Sequence, residues 1–255
     1  MKLNLPANYD ADHPERYILL IGIHPEAFSF SVHDPHKEDS YFYQVLEKAP
    51  QEDALSSFKE YFFENDFFGQ AFQEIYLVNY SSAFTYVPSL LYDENDKEKV
   101  MYALFSEKKK ERILEQSLEK PGITLLHKID EEVYEFLHRS FVDALFVHYS
   151  SEIIHYFLDR AKLDTKARIV LNFRGKELDV YAFRDDNFIL GNHYEYREMN
   201  DALYYALLTW KQLKMDQVED SLYITGDETS VKEAGEKLGY YIQHVIPFKL
   251  PPLSL

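Results

Sequence analysis

RIVLNFRGKELDVYAFRDDNFILGNHYEYREMNDALYYALLTWKQLKMDQVEDSLYITG, residues 168–226, is the stretch that decides the fold. Arg168–Phe173 is an apolar run of strand length, Arg174-Gly175-Lys176-Glu177 turns the chain, and Leu178–Phe183 runs back. Arg184-Asp185-Asp186-Asn187 turns it again into Phe188–Tyr196. Polar and glycine turns between β-rich runs predict a three-stranded meander. Asn200–Lys214 follows as a long amphipathic helix, with Leu203, Leu207 and Leu213 expected on its buried side. Ser221–Thr225 is a short buried strand, Ser230–Leu238 a helix closed by Gly239, and Tyr240–Ile246 an edge strand.

The same order of elements occurs earlier in the chain. Tyr17–Ile23 is a continuous apolar run, expected in a strand buried on both faces. Ala27–His33 alternates with period two, Ser40–Leu46 supplies a third strand, and a helix from about Gln51 places Leu55, Phe58, Phe62 and Phe63 at helical spacing. Glu74–Tyr80 is the next strand. Residues 17–80 therefore read βββαβ and residues 168–246 βββαβα with a last strand, a repeat of element order with few identities. Between them lie a strand at Ala83–Val87, a helix over Asp93–Phe105 with Val100, Met101 and Leu104 on one face, and a hairpin turning at Lys120-Pro121-Gly122. Asp130–Ser140 opens on an aspartate suited to cap a helix; Ala144–His148 is a strand and Ser150–Lys162 a helix. Meanders followed by helix–strand alternation give an α/β fold with mixed sheets and helices on their faces. Two such units, 1–163 and 164–255, with an α+β insert at about 83–140 in the first, resemble the two ribonuclease-H-like halves of the actin-like ATPase fold.

Composition narrows the function. The 255 residues carry a formal net charge of −17, with no basic run longer than Lys108-Lys109-Lys110, which argues against nucleic acid and anionic membranes as partners. The 21 Tyr and 19 Phe promise a ring-rich core, since each buried ring removes roughly 150–250 Å² from water. The absence of cysteine excludes disulfides and thiolate chemistry and suits a reducing, cytoplasmic setting. The first residues have no apolar core of signal-peptide type, and the longest apolar run, Tyr17–Ile23, is far short of a membrane span.

The stretches FTYVPSLLYDENDKEKVMYALF (84–105), ALFVHYSSEI (144–153), EYREMNDALYYALLTWKQL (195–213) and LYITGD (222–227) resemble an uncharacterised bacterial family with a degenerate actin-like ATPase fold. That family is similar to the pilus-assembly ATPase homologues, and the resemblance covers nearly the whole chain. It implies a nucleotide cleft between the halves. In active members the first turn of each half carries an Asp followed by glycines, for metal and phosphate, and a later glycine turn lies against the adenosine. Here Gly22 stands where the first Asp would be and His24 where a glycine would be, and Pro25 lacks a backbone donor. In the second half Asn172 replaces the Asp, and Arg174 and Lys176 flank Gly175 in place of glycines. Thr225-Gly226 keeps part of the last feature, with Asp227 as its second residue.

Two readings follow. In the first the chain is a non-catalytic interaction or scaffold protein on an inherited ATPase fold, with no catalytic residues, metal or cofactor and an unknown protein partner. In the alternative the chain is a nucleotide- or anion-binding protein, a slow or vestigial ATPase using the inter-lobe cleft, with the ligand held by Arg174, Gly175, Lys176, Thr225 and Gly226 and the arginine chelating phosphate. Self-association is a third class. His33-Asp34-Pro35-His36 reads as a solvated loop and not a zinc site, and His148 and His155 as satisfied or surface histidines. Tyr17–Ile23 and Arg168–Phe173 contain no acid, so a nuclease site has no anchor, and no P-loop, GxSxG or HExxH occurs.

Overall fold

The computed structural model describes residues 3–6, 8–37, 40–48, 51–107, 110–159, 167–185 and 187–250. Alternating side chains build the first sheet from β1 (Ile18–Ile23), β2 (Phe28–His33), β3 (Phe42–Leu46), β4 (Glu74–Asn79) and β8 (Leu145–His148), in the order β3-β2-β1-β4-β8. The second consists of β9 (Ala167–Arg174), β10 (Glu177–Arg184), β11 (Asn187–Glu195), β12 (Ser221–Gly226) and β13 (His244–Pro247), in the order β11-β10-β9-β12-β13. In both, the first three strands pair antiparallel and the rest parallel, so the two halves share one topology.

The outer face of the first sheet packs Leu19, Ile21, Phe28, Phe30 and Val32 against α1 (Ala54–Glu64) and the rings of Phe67 and Phe68. The outer face of the second packs Ile169, Leu171, Phe173 and Val180 under α5 (Met199–Gln212) and α6 (Glu228–Leu238). The insert is an antiparallel sheet of β5 (Phe84–Pro88), β7 (Ile123–Asp130) and β6 (Glu111–Leu118), with α2 (Lys97–Leu104) and α3 (Glu131–Ser140). The Pro-Gly hairpin expected between residues 112 and 129 is present, and Asp130 caps α3 through Glu132 and Val133.

α4 (Tyr149–Asp159) is the inner helix. Ile153, Ile154, Phe157 and Leu158 pack on Val170, Tyr181 and Phe183 of the second sheet. Gln116 of the insert holds it too, donating to Ser151 (3.1 Å) and accepting from the His148 amide (3.0 Å). The C-terminal segment docks on the same core, where Phe248 donates its amide to Ile224 (2.9 Å) and stacks on Tyr156.

Three expectations need correction. The helix expected from Asp93 starts at Lys97, because Asp93 folds Glu94–Asp96 into a 3-10 turn by accepting from the Asn95 amide; only Met101 is buried, and Leu104 faces outward. In α5 leucines 203, 207 and 213 pack against the core as expected but only partly buried, and the fully buried positions are Ala202, Ala206, Thr209 and Trp210. In α1, Tyr61 is buried and Phe63 exposed. The strand expected at Tyr240–Ile246 is only His244–Pro247, after a turn. The continuation of α4 to 162, the boundary at 163/164, Lys108-Lys109, Asp186 and the last five residues lie outside the described residues.

Gly226 closes β12 with φ +116°, and a Cβ there would come within 2.0 Å of the Phe173 carbonyl oxygen. Gly226→Ala is therefore expected to destabilise the fold by more than about 1 kcal/mol, read as a lower urea midpoint, while Gly235→Ala, in open space on α6, leaves it unchanged or slightly raised.

Candidate functional site

Strand register assembles the site. Asn172, Asp179 and His193 lie directly opposite one another across β9, β10 and β11. At the matching place in the first sheet, Gly22 of β1 faces Ser29 of β2. The turns after these two positions are joined by a column of stacked side chains.

Asp179 is the centre. Its side chain is fully buried, and both oxygens are occupied. Oδ1 accepts from Tyr149 (2.9 Å) and His193 Nδ1 (2.9 Å); Oδ2 accepts from Asn172 Nδ2 (2.9 Å) and Arg174 Nε (3.2 Å). A carboxylate offers about four acceptor positions, and all are filled from within the chain. Burial pushes the Asp179 pKa up, but the bonds and charges of His193 and Arg174 outweigh it and hold the group below the usual carboxylate range. Arg174 also donates to the Tyr149 hydroxyl (2.8 Å) and pairs with Glu177 (2.9 Å), which accepts from Ser82 of the first half (2.7 Å).

Above this network the planar groups stack. The Arg174 guanidinium sits 4.2 Å from the Tyr149 ring centroid, Tyr149 stacks on Tyr80 at 5.2 Å and 5°, and Tyr80 stacks on His24 at 4.3 Å and 16°. His24 contacts Ser29 Oγ at 2.9 Å, and burial, helped by the Arg174 charge, lowers its pKa to about 4. The column runs from the first turn of one half to the first turn of the other. Gly22 permits it: a Cβ there would lie 2.3 Å from Ser29 Oγ, 3.0 Å from His24 and 3.3 Å from Tyr80. The place of the first Asp is thus sterically taken.

The residues of the anion reading do not converge. Arg174 points into the column, whereas Lys176 reaches away to the Arg197 carbonyl (3.1 Å) and the face of Tyr196. Gly175 makes the hairpin turn at φ +61°, and its carbonyl accepts from the Tyr196 hydroxyl (2.8 Å). Thr225 lies opposite Asn172, and Gly226 is wrapped against Phe173. Asp227 caps α6 by accepting from the Ser230 amide (2.9 Å). His33 and Asp34, expected in a solvated loop, are buried at the end of β2, where Asp34 accepts from the His36 amide (2.9 Å). His148 is fully buried between Ser150 (2.7 Å) and the Ser81 carbonyl (2.9 Å). Among the described residues no group of three or more His, Asp or Glu could hold a metal ion.

Sequence reading passed over Asp179, Tyr149, Tyr80 and His193. The signal for Asp179 was present, as a lone acid inside the apolar run LDVYAF with Arg174 five residues earlier. Its partners come from distant segments and had no local signature.

A family model described as "Protein of unknown function (DUF3822)" matches residues 6–245. The chain belongs to this family. Among solved structures it is similar to a protein of actin-like ATPase fold and unknown function from Bacteroides thetaiotaomicron VPI-5482, at TM-score 0.83 and 26% identity over 94% of this chain and 93% of that one. It is also similar to a chain of a PilM–PilN type IV pilus biogenesis complex, at TM-score 0.52 and 10% identity over 91% and 88%. No curated protein matches it. The fold of this DUF3822 chain is accordingly the two-lobed actin-like ATPase fold.

Asp179→Asn in this DUF3822 protein leaves Arg174 without its buried counter-ion, and is expected to cost about 3–5 kcal/mol in urea unfolding, with Asp179→Asn/Arg174→Met recovering part of that loss. A second prediction concerns pH. Burial lowers the pKa of His127 to about 3 and that of His148 well below its ordinary value. Below about pH 6.5 the unfolded chain takes up protons that these folded histidines do not, so each removes up to about 1.4 kcal/mol of stability per pH unit. Glu152, raised to about 8 by burial, acts in the opposite sense between its ordinary value and pH 8. Urea midpoints should fall from pH 6.5 to pH 4, less steeply in His127→Gln.

Proposed function

We propose that this DUF3822 protein is a non-catalytic interaction protein, an actin-like body that binds a partner protein without turning over nucleotide. One observation carries this reading: Asp179, the buried carboxylate at the second phosphate turn, has every acceptor position filled by Tyr149, His193, Asn172 and Arg174. A hard divalent cation needs free carboxylate oxygens, and phosphates need free backbone donors. The stack from His24 to Arg174 occupies the space where both would sit. Binding an anion at Arg174 would first require breaking its bonds to Asp179, Tyr149 and Glu177.

The binding reading draws on what stays open. Beside the first turn lies a cavity of about 600 Å³, lined by His24, Phe28, Lys59, Ser82, Lys128 and Asp130 among others, between the first sheet, α1 and the insert. Its size and mixed lining suit an extended segment of another protein. The PilM–PilN complex gives a fold relative seen together with a protein partner. The halves 1–163 and 164–255 act in this reading as fixed lobes, and the cysteine-free, acidic chain works in the cytoplasm, alone or self-associated. No described helix is long and apolar enough to cross a membrane.

Calorimetry with ATP, with and without magnesium, tests the proposal. The expected result is no saturable heat up to about 1 mM, which corresponds to binding weaker than about −4 kcal/mol. Saturable micromolar binding of magnesium–ATP would overturn it.

A further inference from the structure

We infer that the open edge of the insert's sheet, at β6, is a docking groove for an extended basic segment of another protein, which adds to the sheet as a fourth strand. Nothing in it depends on what the cleft or the cavity beside the first turn can hold.

The insert's strands run in the order β5-β7-β6, so β6 has a strand neighbour on one side only. Register shows which of its main-chain groups are already used. The Glu131 amide donates to the Lys110 carbonyl (2.8 Å) and the Lys128 amide to the Ala83 carbonyl (3.0 Å), each in line with its antiparallel ladder. Hydrogen-bonded pairs alternate along such ladders. Arg112 and Leu114 therefore bond to β7, while Ile113 and Glu115 turn their N–H and C=O groups to the open edge. Among the described residues no hydrogen bond reaches those groups. The edge is held in place from below, because the Ile113 side chain packs with Met101 and Leu126.

A groove of about 440 Å³ runs along this edge. Residues 111–115 line it in succession, with Lys97 and Glu98 of α2 and Glu131 of α3 beside them. Successive residues of a strand point to opposite faces, so an unbroken lining means that the groove follows the backbone edge and not one face of the sheet. Five residues of strand extend roughly 14 Å, enough to template five or six residues of an added strand.

Charge selects the occupant. The lining carries Glu98, Glu111, Glu115 and Glu131 against Lys97 and Arg112. Arg112 is committed to Glu131 (2.6 Å) and Glu111 to Lys128 (3.1 Å), whereas the Lys97–Glu115 pair is loose at 3.8 Å. Glu98 is exposed and has no counter-ion among the described residues. Charges on edge strands keep such strands from pairing with one another, and here their sign decides what is admitted. A segment with Lys or Arg at alternate positions gains Glu98 and Glu115 as partners, and an acidic one is repelled. A second copy of this chain, at −17, would bring the same carboxylates to the edge.

The intact chain is titrated by calorimetry with the peptide acetyl-Lys-Val-Lys-Val-Lys-Val-amide and with its counterpart carrying Glu for Lys. Two further forms of the lysine peptide are methylated at the backbone nitrogens of either the lysines or the valines. The expected result is saturable binding of the lysine peptide and none of the glutamate peptide. One methylation pattern only should lower affinity at least about tenfold, because alternate amides of an added strand face β6 and the others face solvent. Glu115→Pro, which removes a donor from the open edge, is expected to weaken binding as much, and Glu98→Lys to weaken it several-fold. No saturable binding, affinity that neither methylation pattern changes, or unchanged affinity in Glu115→Pro overturns the inference. Should Glu115→Pro fail to fold, the two methylated peptides on the unaltered chain decide. Light scattering accompanies the titration: a dimer that the lysine peptide dissociates places a second copy on the edge and likewise overturns it.

Discussion

A single buried carboxylate organises the centre of this molecule. Asp179 sits without exposure to water on the inner face of the second sheet, and such a charge is tolerable only with a counter-ion and filled hydrogen-bonding positions. Arg174 supplies the charge and Tyr149, Asn172 and His193 the remaining donors. Because Tyr149 opens α4, which follows the first sheet in the chain, the same carboxylate ties the halves together. Each bond to a charged group is worth about 1.5–3 kcal/mol, so the network is a large share of a marginal folding energy.

The two halves fill the space at their first turns in different ways. In the first, glycine at position 22 leaves room that Ser29, His24 and Tyr80 fill. In the second, Asp179 lies across the hairpin from Asn172 and faces protein donors. The stack from His24 through Tyr80 and Tyr149 to Arg174 joins these two solutions. A neutral histidine suits that arrangement: burial, and to a lesser extent the charge of Arg174 at the other end of the column, lowers the His24 pKa.

Aromatic side chains serve three roles here. Phe28, Phe30, Phe58, Phe67 and Phe68 form the core under α1 in edge and stacked contacts. Tyr80 and Tyr149 fill the cleft. Tyr41 and Tyr43 remain half exposed on an edge strand. Composition alone shows the abundance of rings and not this division, which follows from where each strand lies in its sheet.

The order of elements along the chain, both meanders, the Pro-Gly hairpin and the cap at Asp130 are legible in the amino-acid order, because period-two patterning, turn residues and helix caps act within a few residues of one another. So is the departure of the first turns from the actin-like ATPase pattern, since Gly22, His24, Pro25 and Asn172 can be read singly. Helix faces were less legible: the fully buried positions of α5 are Ala202, Ala206, Thr209 and Trp210, with the leucines only partly buried against the same core, because burial depends on which side chains lie beneath. The site itself belonged to the tertiary structure. Asp179, Tyr149, Tyr80 and His24 are up to 155 residues apart, and whether Arg174 is a free cation or a bound one depends on which side chains the packed halves bring to it. Hydrogen bonding and charge pairing act through space over a few ångströms, and local sequence carries no record of such neighbours.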